Sequence, residues 1–171
     1  MSWFKKTSKP EVGNDEKPEG DIRLSTLIAP AAVKLGMESA DREEAFEELV
    51  DLLVQTGGIQ DRDAALEAIR SREALGSTGI GNGIAVPHGK HATIARLVAA
   101  LGVSRQGIDF GSPDRKPAHI VFLLLARSDN PGPHIQALAE IAQLVQSDSF
   151  LNKALTAKTP HDMLDLVRTE E

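Results

Sequence analysis

The sequence contains no cysteine. Disulfides, thiol nucleophiles and cysteine-ligated zinc are therefore excluded, and an intracellular, cytoplasmic setting is the simple expectation. Positive charge is also in short supply: 19 Lys and Arg stand against 25 Asp and Glu, for a net charge of −6. Nucleic acids and anionic membrane surfaces both attract basic patches, so this balance argues against either as a general partner. Long hydrophobic runs are missing too. The longest, Ile120 to Ala126, is far short of the about 20 residues a membrane-spanning helix needs, and it fits a buried strand. Residues 1–21 lack the apolar stretch of a secretory signal. They are rich in Lys, Glu, Pro and Gly, which predicts a solvated, disordered tail whose one adhesive feature is Trp3-Phe4 beside Lys5-Lys6. Residues 22–171 suffice for one domain with a full core.

Helical and strand periods alternate along that domain. Ile22 to Ile28 reads as an arm or helical turn, and Val33-Leu35 as a strand. Asp41 with Glu44 makes a capping box, and Ala45, Phe46, Leu49, Val50, Leu52 and Leu53 give the first long helix its apolar stripe. Gly57-Gly58 ends it. A second helix begins at Asp61, carries Ala65, Leu66 and Ile69 on one face, and stops near Gly76. Ile84-Val86, Leu97-Val103 and Ile120-Leu125 read as strands, the last covered on both faces. After Asn130-Pro-Gly-Pro133 a helix is expected from His134, with Ile135, Leu138, Ala139, Ala142 and Val145 inward. A shorter helix follows over Ser147 to Leu155. Thr159-Pro160 opens the last, which carries Met163, Leu164 and Val167. The expected order is β-α-α-β-β-β-α-α-α, an α/β protein built as a three-layer α/β/α sandwich around a small mixed sheet.

The chemistry concentrates in Arg72 to Lys90. A helix carrying Arg72 runs into a loop with Gly79, Gly81 and Gly83, and a short apolar run then delivers His88 between Pro87 and Gly89. Pro87 fixes its own φ and biases Val86 towards extended backbone. These features predict one imidazole held stiffly on one side and open on the other, a candidate nucleophile for a phosphoryl group. Arg72 follows Ile69 by three positions and so lies near the buried face. Its charge there is either paired or snorkels out at the helix end, and the residues alone leave both readings open.

The other histidines divide by context. His134 falls in the first turn of a helix, where the dipole and free N–H groups favour an anion and disfavour imidazolium. A neutral His134 could donate to a phosphoryl oxygen; an ordinary polar residue at a helix start is the alternative. His91, three residues after His88, invites a metal reading that lacks further ligands, so no metal is expected. His119 reads as a strand-end packing residue and His161 as a surface residue. Nucleotide loops fail on spacing: no Gly stands at position 84 before Gly89-Lys90, and Gly79-x-Gly81-x-Gly83 precedes its strand. No Gly-x-Ser-x-Gly elbow occurs.

The segment Gly79-Ile-Gly-Asn-Gly-Ile-Ala-Val-Pro-His88-Gly, preceded by Arg72-Glu73, resembles the phosphorylation-site motif of type-2 IIA domains. These are the fructose/mannitol class of the bacterial phosphoenolpyruvate-dependent phosphotransferase system (PTS). Pro133-His134-Ile-Gln-Ala-Leu-Ala-Glu-Ile-Ala-Gln-Leu resembles the family's second-histidine helix. The likeness runs from about Leu24 to Val167. It implies that His88 accepts a phosphoryl group from a small phosphohistidine carrier protein (HPr-like), with His134 and Arg72 beside it and no cofactor. Downstream, the family passes phosphate to a IIB domain for sugar uptake, or uses its phosphorylation state to control regulatory target proteins. Leu75-Gly-Ser-Thr-Gly-Ile-Gly resembles the nitrogen-regulatory branch more closely, and no IIB or membrane IIC segment lies within the chain, so regulation is the expectation. A binding module that keeps the fold without phosphorylation is the remaining alternative, and the joint presence of Arg72, His88 and His134 speaks against it.

Overall fold

The structure, a computed structural model, describes residues 21–171. The tail expected over 1–21 lies outside them except for Asp21. The described chain opens with α1 (Leu24–Leu27), a 3-10 turn at Pro30–Ala32 and β1 (Val33–Lys34). Two long helices follow, α2 (Arg42–Gln55) and α3 (Arg62–Glu73). Then come β2 (Gly79–Gly81), β3 (Ile84–Ala85), β4 (His88–His91), β5 (Val98–Ile108) and β6 (Ala118–Arg127). The chain closes with α4 (Pro131–Leu144), α5 (Phe150–Thr156) and α6 (Pro160–Glu170).

The expected caps form. Asp41 Oδ1 accepts from the Glu44 N–H at 2.8 Å, and the Glu44 carboxylate reaches back to the Ala40 N–H at 2.7 Å. Asp61 caps α3 through the Ala64 N–H at 3.1 Å, and Thr159 caps α6 through the Asp162 N–H at 3.0 Å. Each satisfies a backbone donor that the first helical turn leaves free.

The six strands form one mixed sheet in the order β1-β5-β6-β3-β2, with β4 also paired to β6. β5 and β6 run antiparallel, while β1 lies parallel to β5, and β3 and β4 lie parallel to β6. β3 and β4 are one run along β6, interrupted at Val86-Pro87 without a change of register: Ala85 pairs with Val121 and His88 with Leu124. Helices cover both faces. A Cβ on Gly102 of β5 would strike Leu49 of α2, and Gly102 pairs with Val121. Side chains alternate along a strand, so Phe122 faces the other way, where it stacks on Phe150 of α5 at 6.5 Å between ring centroids. Ile120 through Leu125 are fully buried, as a strand covered on both faces requires.

The expected α/β/α layering is present, and the element order is longer than expected. α1 precedes β1, and two strands come from stretches read as loop. β2 and β3 form a tight hairpin in which Gly81 pairs with Ile84 across Asn82-Gly83. Both turn residues have positive φ, 55° and 78°, as a two-residue type I′ connection demands. β4 carries His88 itself. β5 also runs on beyond Val103 to Ile108, through an irregularity where Gly107 has φ 83°.

The face of α4 differs from expectation. His134, Ala137, Ile141 and Leu144 are buried, and Ile135 is 60% exposed, with Ala139 and Ala142 also outward. The helix is apolar nearly all round, so its period admitted more than one inward stripe, and packing against β6 selected the one containing His134.

Candidate functional site

Two packing constraints aim the His88 ring. A Cβ on Gly89 would lie 2.6 Å from the Ala68 carbonyl carbon, so the α3 backbone sits directly on the β4 backbone there. Gly89 therefore turns towards α3, and His88, one residue earlier, turns to the opposite face, where α4 packs. That places it beside His134, with ring centroids 5.2 Å apart and planes inclined by 55°. His88 is half-buried and His134 is 2% exposed.

The His88 ring is bound from one side. Its Nδ1 lies 2.6 Å from the Val86 carbonyl oxygen. A carbonyl only accepts, so Nδ1 carries the hydrogen, and in the neutral ring the lone pair resides on Nε2. Burial lowers the His88 pKa below the ordinary histidine value. The Val86 bond and the Glu73 carboxylate offset part of this, while Arg72 and Lys90 lower it further. The ring is thus neutral at pH 7 with a lone pair available at Nε2.

His134 is held neutral more strongly, its pKa lowered to about 4 by burial and then by His88 and Lys90. Its buried Nδ1 has no hydrogen-bond partner among the described residues. An unpaired buried polar atom disfavours the resting fold by about 1–3 kcal/mol, so such a position calls for a role. The helix start itself is a poorer anion site than expected. α4 begins at Pro131, making His134 its fourth residue, and Pro131 and Pro133 lack the N–H groups that would have faced an anion. Donors must come from side chains.

Arg72 lies in the last turn of α3, half-buried, and its Nη1 donates to the Gly76 carbonyl at 3.0 Å. It is neither sunk in the core nor fully solvated; it leans along the 74–78 loop, close enough for its charge to act on His88. The structure therefore brings Arg72, His88 and His134 into one neighbourhood. The remaining histidines stand apart in role. His91 Nδ1 bonds Thr93 Oγ1 at 2.8 Å, His119 Nδ1 donates to the Ser104 carbonyl at 2.8 Å, and His161 is exposed. A cleft of about 390 Å³, lined by Asn82, His119, Leu151 and Asn152 among others, sits at the far end of β6 and includes neither His88 nor His134.

Glu73, Thr78, the Val86 carbonyl and Lys90 also shape the site, and none of them was singled out by sequence reasoning. A backbone carbonyl leaves no side-chain signature. Glu73 stands next to Arg72 in the motif, and only the fold shows that it is buried.

Residues 26–169 match the family described as phosphoenolpyruvate-dependent sugar phosphotransferase system, EIIA 2. The chain belongs to this family. Among relatives of this IIA domain, the PTS system fructose-specific EIIABC component of Bacillus subtilis is 33% identical over 88% of the chain, which spans 24% of that longer protein. A nitrogen regulatory protein of Bradyrhizobium diazoefficiens is also 33% identical, over 76% of the chain and 84% of its own length. The crystal structure of nitrogen regulatory protein IIA-Ntr from Neisseria meningitidis superposes with a TM-score of 0.78. It is 28% identical, covering 84% of this chain and 97% of that one. Among the described residues, no helix of the IIA domain is long and apolar enough to cross a membrane.

Proposed function

We propose that His88 is the phosphoryl acceptor of this IIA domain and that a phosphohistidine on an HPr-like carrier protein is the donor. The observation that carries this reading is the 2.6 Å bond from His88 Nδ1 to the Val86 carbonyl, which leaves Nε2 as the free nucleophile. In the transfer, the Nε2 lone pair forms a bond to phosphorus as the P–N bond on the carrier breaks. The electron pair of that bond returns to the carrier's imidazole. Both species are phosphohistidines, so the site has to orient the reactants rather than drive the reaction. Charge spread over the equatorial oxygens needs cations and donors, and Arg72, Lys90 and the His134 N–H are the groups at hand. No metal or nucleotide enters this chemistry.

A protein donor needs a surface to dock on. Leu75, 85% exposed, follows Arg72 by three residues, and Ile135, 60% exposed, adjoins His134. Exposed apolar side chains close in sequence to Arg72 and His134 suit a transient protein contact in the cytoplasm.

Downstream, regulation is the favoured use, with phosphorylation state controlling the binding of target proteins. The Leu75-Gly-Ser-Thr-Gly-Ile-Gly segment and the likeness to two nitrogen regulatory proteins support it. Transfer to a IIB domain for sugar uptake is the second reading, favoured by the fructose-specific relative. The test supplies phosphoenolpyruvate, enzyme I and the carrier. An acid-labile label is expected on the wild type and none on His88→Ala, with slower labelling of His134→Ala. Labelling of His88→Ala at the wild-type rate would refute the assignment. Subsequent passage of the label to a IIB domain would decide for uptake.

A further inference from the structure

Among the described residues, Glu73 is the one carboxylate in the buried set, 8% exposed, and the transfer chemistry does not use it. A buried carboxylate is unfavourable unless its oxygens are hydrogen-bonded. Here they are. The Thr78 N–H donates to Oε1 at 3.1 Å and the Thr78 hydroxyl to Oε2 at 2.6 Å, while Arg42 Nη1 approaches Oε1 from the solvent side at 3.3 Å.

The bonds continue from Thr78 to the acceptor ring. The Thr78 carbonyl accepts the Val86 N–H at 2.9 Å, and the Val86 carbonyl accepts Nδ1–H of His88 at 2.6 Å. The 74–78 loop is closed by the same residue, because the Gly76 N–H donates to the Glu73 carbonyl at 3.1 Å, and the Gly76 carbonyl holds Arg72. Both the nucleophile and its nearby cation are therefore anchored to a segment whose two ends meet at Glu73 and Thr78.

We propose that Glu73 is a positioning residue for phosphoryl transfer. By gripping Thr78 it fixes the Val86 carbonyl, which keeps the hydrogen on His88 Nδ1 and the lone pair on Nε2, and it fixes the loop on which Arg72 rests. The inference rests on His88 being the acceptor. A carboxylate that served only to end α3 and pair with Arg42 would leave the tautomer of His88 untouched.

The test uses Thr78→Val, which keeps the backbone donor and removes the hydroxyl, together with Glu73→Gln, and Thr78→Ser as the rescue. Ring ¹⁵N chemical shifts of unphosphorylated protein report the His88 tautomer, and transfer from phosphorylated carrier gives kcat and KM. The wild type is expected to show hydrogen on Nδ1 alone. Thr78→Val and Glu73→Gln are expected to mix the two tautomers and to lower kcat about 10- to 100-fold, with KM for the carrier within about twofold. Thr78→Ser restores both readings. If Glu73→Gln does not fold, Thr78→Val decides. A folded Thr78→Val with the wild-type tautomer and kcat would overturn the inference. Should His88 take no phosphoryl group at all, the functional reading falls, and the tautomer measurement still decides whether Glu73 positions the ring.

Discussion

The rings of His88 and His134 lie 5.2 Å apart across the β4–α4 contact, and the more deeply buried of the two is His134, not the proposed acceptor. His88 keeps one edge in reach of a partner. His134 stands behind it, its pKa lowered and its Nδ1 without a partner among the described residues, and is the proposed donor to the phosphoryl group. The proposed division of labour depends on both rings staying uncharged, and that has a consequence for stability.

An unfolded histidine binds a proton near pH 6.5, whereas folded His134 does so at about 4. Between those values the unfolded state holds more protons than the native state. Stability is therefore full above about 6.5, falls as pH drops through the window, and levels below about 4. One such group contributes at most about 3 kcal/mol. His88, shifted in the same direction, adds with the same sign. Urea unfolding at pH 7, 5.5 and 4 should show the loss, and His134→Leu should flatten the wild-type slope. Equal slopes in the two proteins would count against a neutral, buried His134.

Gly89 and Gly132 make opposite predictions. A methyl group on Gly89 meets the α3 backbone at Ala68, where no flexible side chain can yield, whereas one on Gly132 meets nothing within 4 Å. Gly89→Ala should destabilise the domain by about 1–3 kcal/mol and slow labelling of His88, since the strand carrying the ring must shift. Gly132→Ala should be neutral or stabilise by up to about 1 kcal/mol by restricting the unfolded chain. Denaturant midpoints for both variants check the pair.

Ile135 tests the docking face. It is 60% exposed, so Ile135→Glu should leave the denaturation midpoint within about 0.5 kcal/mol of the wild type. A charge in an apolar contact should raise KM for the phosphorylated carrier about tenfold, equivalent to about 1.4 kcal/mol, with kcat little changed. Steady-state transfer against carrier concentration separates the two parameters. An unchanged KM would move the docking surface elsewhere.

Much of the fold was legible because its signals are local. Asp41, Asp61 and Thr159 are side-chain caps that announce helix starts in the sequence, and each makes its bond. Ile120 to Leu125 is a run that only a doubly covered strand explains. The nearness of His88 and His134 was legible through the family resemblance that Pro87-His88-Gly89 and Pro133-His134 carry, since the residues alone left His134 open to reading as an ordinary helix-start residue. What escaped was non-local or backbone-borne. Asn82-Gly83 carries a hairpin signal in two letters, obscured by the surrounding glycines. β4 has four residues with no apolar alternation, and its partner β6 lies more than thirty positions on. The inward face of α4 could not be read from a helix with apolar residues on every side. Gly89 reads in the sequence as room beside the imidazole, while in the fold it is the point where α3 presses on the strand.

The central claim concerns one nitrogen atom, and heteronuclear ³¹P–¹⁵N NMR of the labelled, phosphorylated IIA domain tests it most directly. The account predicts a single phosphohistidine, at His88, with phosphorus on Nε2 and hydrogen retained on Nδ1. Phosphorus on Nδ1 of His88, or on any other residue while His88 remains free, would contradict it.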